Sequence, residues 1–356
     1  MASAVSWVLG VDSGGSGLRA ALADTEVLAL AGQTDRAQPA DTEVSREPVR
    51  TGAAGIDAGH LLGQLLSMAR ALLERAGGTT LSAVAIGAAG MATLGGELRA
   101  ELPAALARSL GVRRVALAAD AVTAYAGALG QRPGAVVAAG TGMIALGTDL
   151  SEWHRADGWG HLLGDCGGGA WIGRAGLEAA LRAHDGHGER RGGSAPLLAR
   201  MESVFGPAPE MPGLLYPRSD RAAVLASFAP EVARCADVDP VAADILARAA
   251  RYIAQAAAAV CPSADGTGEG CEVALTGGLL KLGDPLLVPL RAELAEQLPH
   301  ARPVSAAGDP LTGAVVLAAA LATGSLRLPR HPTLLHVPAT NHQTNHQQTT
   351  ATEQDR

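Results

Sequence analysis

This sequence predicts an α/β protein of two lobes, each organised around a strand, a glycine-rich turn and a second strand. Three observations predict it. An apolar strand runs into the turn Val11-Asp12-Ser13-Gly14-Gly15-Ser16-Gly17. The same arrangement returns at Ala139-Gly140-Thr141-Gly142, about 125 residues later, with α/β material between. A third apolar strand ends at Thr276-Gly277-Gly278. Together these give the layout of a duplicated, two-lobed nucleotide cleft.

The elements follow in order. Residues 5–11 read as a strand, with 18–23 and 27–31 as further short strands. Residues 58–75 carry apolar side chains at helical spacing and are stopped by Gly77-Gly78. A strand at 83–88, a helix at 97–109, a strand at 114–119 and a helix around Tyr125 complete the first half. Strands at 135–139 and 144–147 flank the second turn. Residues 186–193, rich in Gly and carrying Arg190 and Arg191, read as a mobile connection. A long Ala-rich helix spans 239–261, a strand 273–275, and a buried final helix 312–323. Beyond Pro338 the chain is rich in Thr, Gln and Asn, so 340–356 reads as disordered. The expected lobes are 1–119 with about 311–330, and 120–310, with 331–356 as a flexible tail.

Composition bounds the chemistry. The chain has 356 residues, enough for two domains, and 48% of them are hydrophobic. Aromatics are only 3%, so the core must be built from small and aliphatic side chains. A net charge of -7 argues against a nucleic-acid partner. An acidic chain can still hold ATP where backbone N–H groups and a cation meet the phosphates. No basic stretch precedes the first apolar run, and no apolar run approaches the roughly 20 residues a membrane span needs. The expectation is a cytoplasmic protein with no membrane partner. Cys166, Cys235, Cys261 and Cys271 lack CxxC spacing and suit free thiols in a reducing compartment.

Lys281 is the only lysine, so neither a P-loop nor a protein-kinase lysine is available. Phosphoryl transfer would have to rest on backbone donors, Mg²⁺ and a carboxylate base. Ser13, Gly14, Gly15, Ser16, Thr141, Gly142, Gly277 and Gly278 are the candidate phosphate donors, because a bare backbone can approach phosphate oxygens closely. Asp12 ends an apolar strand and could hold Mg²⁺ through water; its alternative is a simple turn former. Asp120 closes one strand and opens a helix, where a carboxylate can accept the attacking hydroxyl's proton. Its alternative is a helix cap. The densest cluster is 158–173, with seven glycines and two of the four tryptophans. His161 could bond a sugar or be structural, and His184 and His187 read as solvated.

These motifs, with Gly158-Trp159-Gly160-His161, Gly164-Asp165 and Asp309-Pro310-Leu311-Thr312-Gly313-Ala314, resemble the N-acetylglucosamine kinase branch of the BadF/BadG/BcrA/BcrD ATPase family over about residues 8–322. The resemblance implies the actin-like ATPase fold of hexokinase, Hsp70 and actin, with its ribonuclease H-like duplicated domains. It also implies ATP with Mg²⁺ and phosphorylation of an amino sugar at its 6-hydroxyl, with a homodimer left open. By similarity Asp120 is the base, Trp159, Gly160 and Asp165 meet the sugar, and the three turns hold ATP, with His161 as a further candidate sugar contact. Two departures concern the substrate. Cys166 stands where the family often has Glu, and Val49-Arg50-Thr51 and Met143-Ile144 lack the Asn residues that animal enzymes place nearby. With its similarity to actinobacterial glucosamine kinases, this points to glucosamine, with N-acetylglucosamine as the alternative. Two rivals share the fold: an iron–sulfur activator of 2-hydroxyacyl dehydratases, which needs a loop cysteine, and a sugar-sensing regulator. The latter would need a DNA-binding segment, and only eleven residues precede Asp12.

Overall fold

The computed structural model describes residues 6–14, 17–25, 40–52, 55–262 and 271–339. The chain divides into two compact units, Met1–Gly130 with Pro310–Arg356, and Gln131–Asp309. In the first, strands β1 (Trp7–Gly14), β2 (Gly17–Asp24) and β3 (Asp41–Ser45) are followed by a minimal hairpin, β4 (Thr51–Gly52) and β5 (Gly55–Ile56). Helix α1 (Ala58–Arg75), strand β6 (Leu81–Ala88), helix α2 (Gly96–Leu110), strand β7 (Val115–Ala119) and helix α3 (Asp120–Leu129) come next.

The second unit holds β8 (Gly134–Ala139), β9 (Met143–Thr148), β10 (Trp153–Asp157), α4 (Gly169–His184), α5 (Ala195–Phe205), α6 (Pro240–Val260), β11 (Glu272–Thr276), α7 (Asp284–Gln297) and β12 (Arg302–Ser305). Short helical turns connect α5 to α6. The chain then returns to the first unit as α8 (Pro310–Thr323) and β13 (Leu335–His336).

The two main sheets repeat one topology. The first runs β13-β7-β6-β1-β2-β3 and the second β10-β9-β8-β11-β12. In each, the first strand pairs antiparallel with the second on one side and parallel with the fourth on the other. The spatial order 3-2-1-4-5 therefore occurs twice, with β13 added at one edge. All three glycine turns, and Asp120, lie at the carboxyl ends of parallel strands, the edge of an α/β sheet where ligands bind.

Local sequence explains the elements. In α1, Leu61, Leu65, Met68, Ala69 and Leu72 recur at helical spacing and are buried. Each buried Leu contributes roughly 1.5–3 kcal/mol. Asp57 caps this helix by accepting the His60 N–H at 2.8 Å. In the second unit Asp239 caps α6, accepts the Ser194 hydroxyl at 2.6 Å, and is buried; Ser194 in turn caps α5. The final helix α8 is apolar on every side and packs on β1 and α3. That packing depends on absent side chains. A Cβ at Gly10 would lie 2.5 Å from the Val315 nitrogen, and one at Gly313 would overlap the Thr123 carbonyl oxygen.

Several expectations need correction. The passage between units lies at Gly130, after α3, and not before Asp120. Residues 331–339 are not a flexible tail: β13 pairs with β7, Leu335 opposite Ala118. Cys261 and Cys271 are joined as a disulfide, whereas Cys166 and Cys235 are free thiols. Residues 189–191 of the supposed connection form a short 3-10 turn. Strands β3, β10 and β12, and the helices between Ala195 and Cys235, were not expected. The strand expected at 27–31 and the disorder expected at 340–356 lie outside the described residues.

Candidate active site

In the first unit, parallel pairing of β1 with β6 and of β6 with β7 aligns Ser13, Ala88 and Ala119 across three strands. Asp12 and Asp120 therefore belong to the same sheet edge. Asp12 faces Arg19 on β2, whose Nη2 and Nε donate to Asp12 Oδ2 at 2.6 and 3.1 Å. Ser13 is buried and Gly14 has open space around its α-carbon; Gly15 and Ser16 lie outside the described residues.

Asp120 is the first residue of α3, and the cap position belongs to Ala119. Its Oδ1 accepts the adjacent Ala121 N–H at 2.9 Å, so the side chain does not close the helix end as a cap would. The residue is exposed, with protein atoms crowded around it that partly desolvate its carboxyl. That desolvation raises its pKa above the ordinary carboxylate value; the Ala121 N–H opposes the rise, and the charge of Asp12 adds to it. Two carboxylates that feel each other's charge are a donor set suited to a hard cation. Among the described residues no cluster of three or more His, Cys, Asp or Glu side chains converges as a metal cage. A Mg²⁺ ion at Asp12 would thus take its other ligands from water and phosphate.

In the second unit, the turn after β8 is braced from below by helix α4. The Gly169 and Ala170 N–H groups donate to the carbonyls of Gly140 and Thr141, both at 2.8 Å. Thr141 is exposed, and a Cβ on Gly142 would overlap Asp165 Oδ2. The phosphate-turn candidate and the sugar-loop candidate are therefore in contact. On the neighbouring strand, Gly277 has φ +109° and lies against the Ala139 carbonyl, and Gly277 and Gly278 are exposed beside the Gly140–Gly142 turn.

The loop 158–165 leaves β10 and folds back on itself. The Gly160 N–H donates to Asp165 Oδ1 at 2.9 Å, and the Gly160 carbonyl accepts from Leu163 and Gly164 at 3.1 and 2.8 Å. Asp165 is buried, with φ +56°. Burial raises its pKa; bonds from the Gly160 and Met143 N–H groups and the nearby His161 pull it down, while Asp157 pushes it up. Trp159 is 66% exposed, with the Arg155 guanidinium 4.2 Å from its ring centre. Sequence reasoning missed Asp157, whose carboxylate accepts the N–H groups of both Asp165 and Cys166. No motif flagged it, because an Asp at a strand end reads as a turn former.

Residues 9–318 match the BadF/BadG/BcrA/BcrD ATPase family. The chain belongs to this family. An N-acetylmuramic acid/N-acetylglucosamine kinase of Clostridium acetobutylicum is 40% identical over 85 residues. That match spans 23% of this chain and 28% of the relative, well under a third of the relative's length. A solved structure of a candidate N-acetylglucosamine kinase from Chromobacterium violaceum is 28% identical, with a TM-score of 0.63 over 88% of this chain and 99% of that one. A ROK family glucokinase from Streptomyces griseus, solved with glucose and AMPPNP, shares the fold at 18% identity and TM-score 0.50, covering 88% of this chain and 98% of that one. The fold is that of the actin-like sugar kinases and ATPases. Among the described residues no helix is long and apolar enough to cross a membrane.

Proposed function

We propose that the protein is an ATP-dependent amino-sugar kinase that phosphorylates the 6-hydroxyl of N-acetylglucosamine. The observation that carries this is Asp120, a carboxylate at the carboxyl end of β7, on the same sheet edge as Asp12 and not engaged in capping α3. A base of raised pKa takes the proton of an attacking hydroxyl more readily than an ordinary surface carboxylate does. The remaining work is positioning and charge stabilisation. Thr141, Gly142, Gly277 and Gly278, with Ser13 and Gly14, offer backbone N–H groups to the phosphates. Bound Mg²⁺, held by Asp12 through water, would neutralise phosphate charge. Trp159, Gly160, His161 and Asp165 meet the sugar. The 2-substituent follows from Asp165, whose carboxylate already takes two backbone N–H groups and so has less to give an ammonium. The similarity to N-acetylglucosamine kinases supports the same choice.

Glucosamine, the acceptor expected from the sequence, is the second reading, favoured by the buried negative charge of Asp165 itself. A coupled ADP-release assay over N-acetylglucosamine, glucosamine, glucose and N-acetylmannosamine, with the product's phosphate located by NMR, tests both. Turnover on N-acetylglucosamine with phosphate at position 6 is expected. Turnover on glucosamine alone replaces the first reading by the second, and no sugar-dependent ADP release rejects both.

A further inference from the structure

Asp157 is the last residue of β10, held in register opposite Ile144 of β9. The next residue stays tied to the sheet, since the Gly158 N–H donates to the Met143 carbonyl at 3.0 Å. From this fixed point the Asp157 carboxylate reaches across the base of the loop. Oδ1 accepts the Asp165 N–H, and Oδ2 accepts the Cys166 N–H at 3.1 Å. Both oxygens are thus spent on the far end of the loop. Gly164 packs so closely that a Cβ there would lie 2.5 Å from Asp157 Oδ1.

The clasp also holds backbone that would otherwise drift. Asp157 and Asp165 are non-glycine residues in the left-handed region, at φ +60° and +56°. Such conformations persist where surrounding bonds over-determine them, and they gather at ligand sites. Here each end of the loop is left-handed and the two ends are bonded to each other. Between them stand the exposed side chains of Trp159, Leu162 and Leu163.

We propose that Asp157 is a positioning residue for the sugar acceptor: by clasping the Asp165 and Cys166 N–H groups from the rigid end of β10, it fixes the loop that presents Trp159, Gly160, His161 and Asp165. The inference rests on the reading that this loop meets the sugar. Asp157 does not itself touch substrate; it acts through Asp165. Its charge is a second contribution, because Asp157 and His161 are the charged groups that act on the Asp165 carboxyl, in opposite directions.

The test uses the full chain with Asp157→Asn, which keeps shape but loses the charge and one acceptor, and Asp157→Gly, which suits φ +60° but removes the clasp. Dissociation constants are measured by calorimetry for N-acetylglucosamine, glucosamine and a non-hydrolysable ATP analogue. The Asp165 carboxyl is titrated by carbon NMR in the apoprotein. Losing a charge-assisted hydrogen bond predicts sugar binding weakened about 10-fold or more, with nucleotide binding changed less than about 2-fold. In Asp157→Asn the Asp165 titration should move to lower pH. Unchanged sugar affinity in both variants overturns the proposal. So does a parallel loss of sugar and nucleotide binding that tracks a fall in Tm, which is a structural role alone. If wild type binds neither sugar, the kinase reading fails, and the Asp165 titration decides the clasp by itself: no movement in Asp157→Asn overturns it.

Discussion

The two main sheets share a five-strand order but not a chemistry. At the carboxyl edge of the first stand side chains: Asp12, braced by Arg19, and Asp120 at the head of α3. At the same edge of the second stand mostly glycines, with Thr141, Gly277 and Gly278 exposed and the Gly140 N–H closed onto the Gly142 carbonyl. Its two carboxylates, Asp157 and Asp165, are both bonded to backbone N–H groups, and Asp165 is buried. On the proposed function, a duplicated scaffold is furnished twice, once for proton and cation handling and once for binding phosphate and sugar. Topology fixes where an edge lies, and the residues placed on it decide what it does.

The sharpest way to break this division is Asp120→Asn. It should lower kcat about 10²- to 10⁴-fold, with sugar and nucleotide affinity retained by calorimetry. Near-normal turnover would remove Asp120 from the chemistry. The same variant should raise Tm at neutral pH. A carboxyl whose folded pKa lies above its unfolded value binds its proton more tightly when folded. Stability therefore falls as pH rises from the unfolded pKa through the folded one, and the ionised form is a standing cost above that window. A neutral Asn is free of that cost.

Glycine replacements sharpen the other half of the comparison. Gly142→Ala puts a methyl onto Asp165, and overpacking of that kind typically costs about 1–3 kcal/mol. Both the turn and the sugar loop should suffer, so KM for nucleotide and sugar should rise together. Gly14→Ala meets nothing within 4 Å. It should leave Tm unchanged and raise only the nucleotide KM, since the new methyl stands where a phosphate would approach. If Gly14→Ala leaves that KM untouched, the first turn does not hold phosphate.

The smallest expected effect is a displacement of the pH profile. Activity should fall as acidification protonates Asp120, along a limb above the ordinary carboxylate value because desolvation and the Asp12 charge both raise its pKa. Asp12→Asn removes the second cause and should move the limb to lower pH. A limb that stays in place would mean that Asp12 exerts no field on the base.

Periodicity carried α1 without ambiguity, because five buried positions repeat at one spacing and Asp57 and Gly77-Gly78 mark its ends. The glycine turns were legible for a related reason, since packing alone does not call for so many adjacent glycines. Strand β10 was not legible, as Trp153-His154-Arg155-Ala156-Asp157 is too polar to read as part of a sheet. The helices between Ala195 and Cys235 are short and interrupted by prolines at their starts, so no long period develops. Asp157 was invisible for a different cause. Its partners are backbone N–H groups eight and nine residues further on, and sequence carries no mark of a backbone partner.

The return of α8 to the first unit has a consequence for how the protein is made. A ribosome completes β1, β6 and β7 early, but the helix that covers β1 and packs against α3 lies beyond the whole of Gln131–Asp309. At roughly 5–20 residues per second, that interval is on the order of ten to forty seconds of synthesis. Throughout it the nascent first unit presents an apolar face ridged by Gly10, with no partner on the same chain yet available. The second unit, made in one stretch, can fold as it emerges. Chaperone demand during synthesis should therefore concentrate on the half of the protein that is translated first.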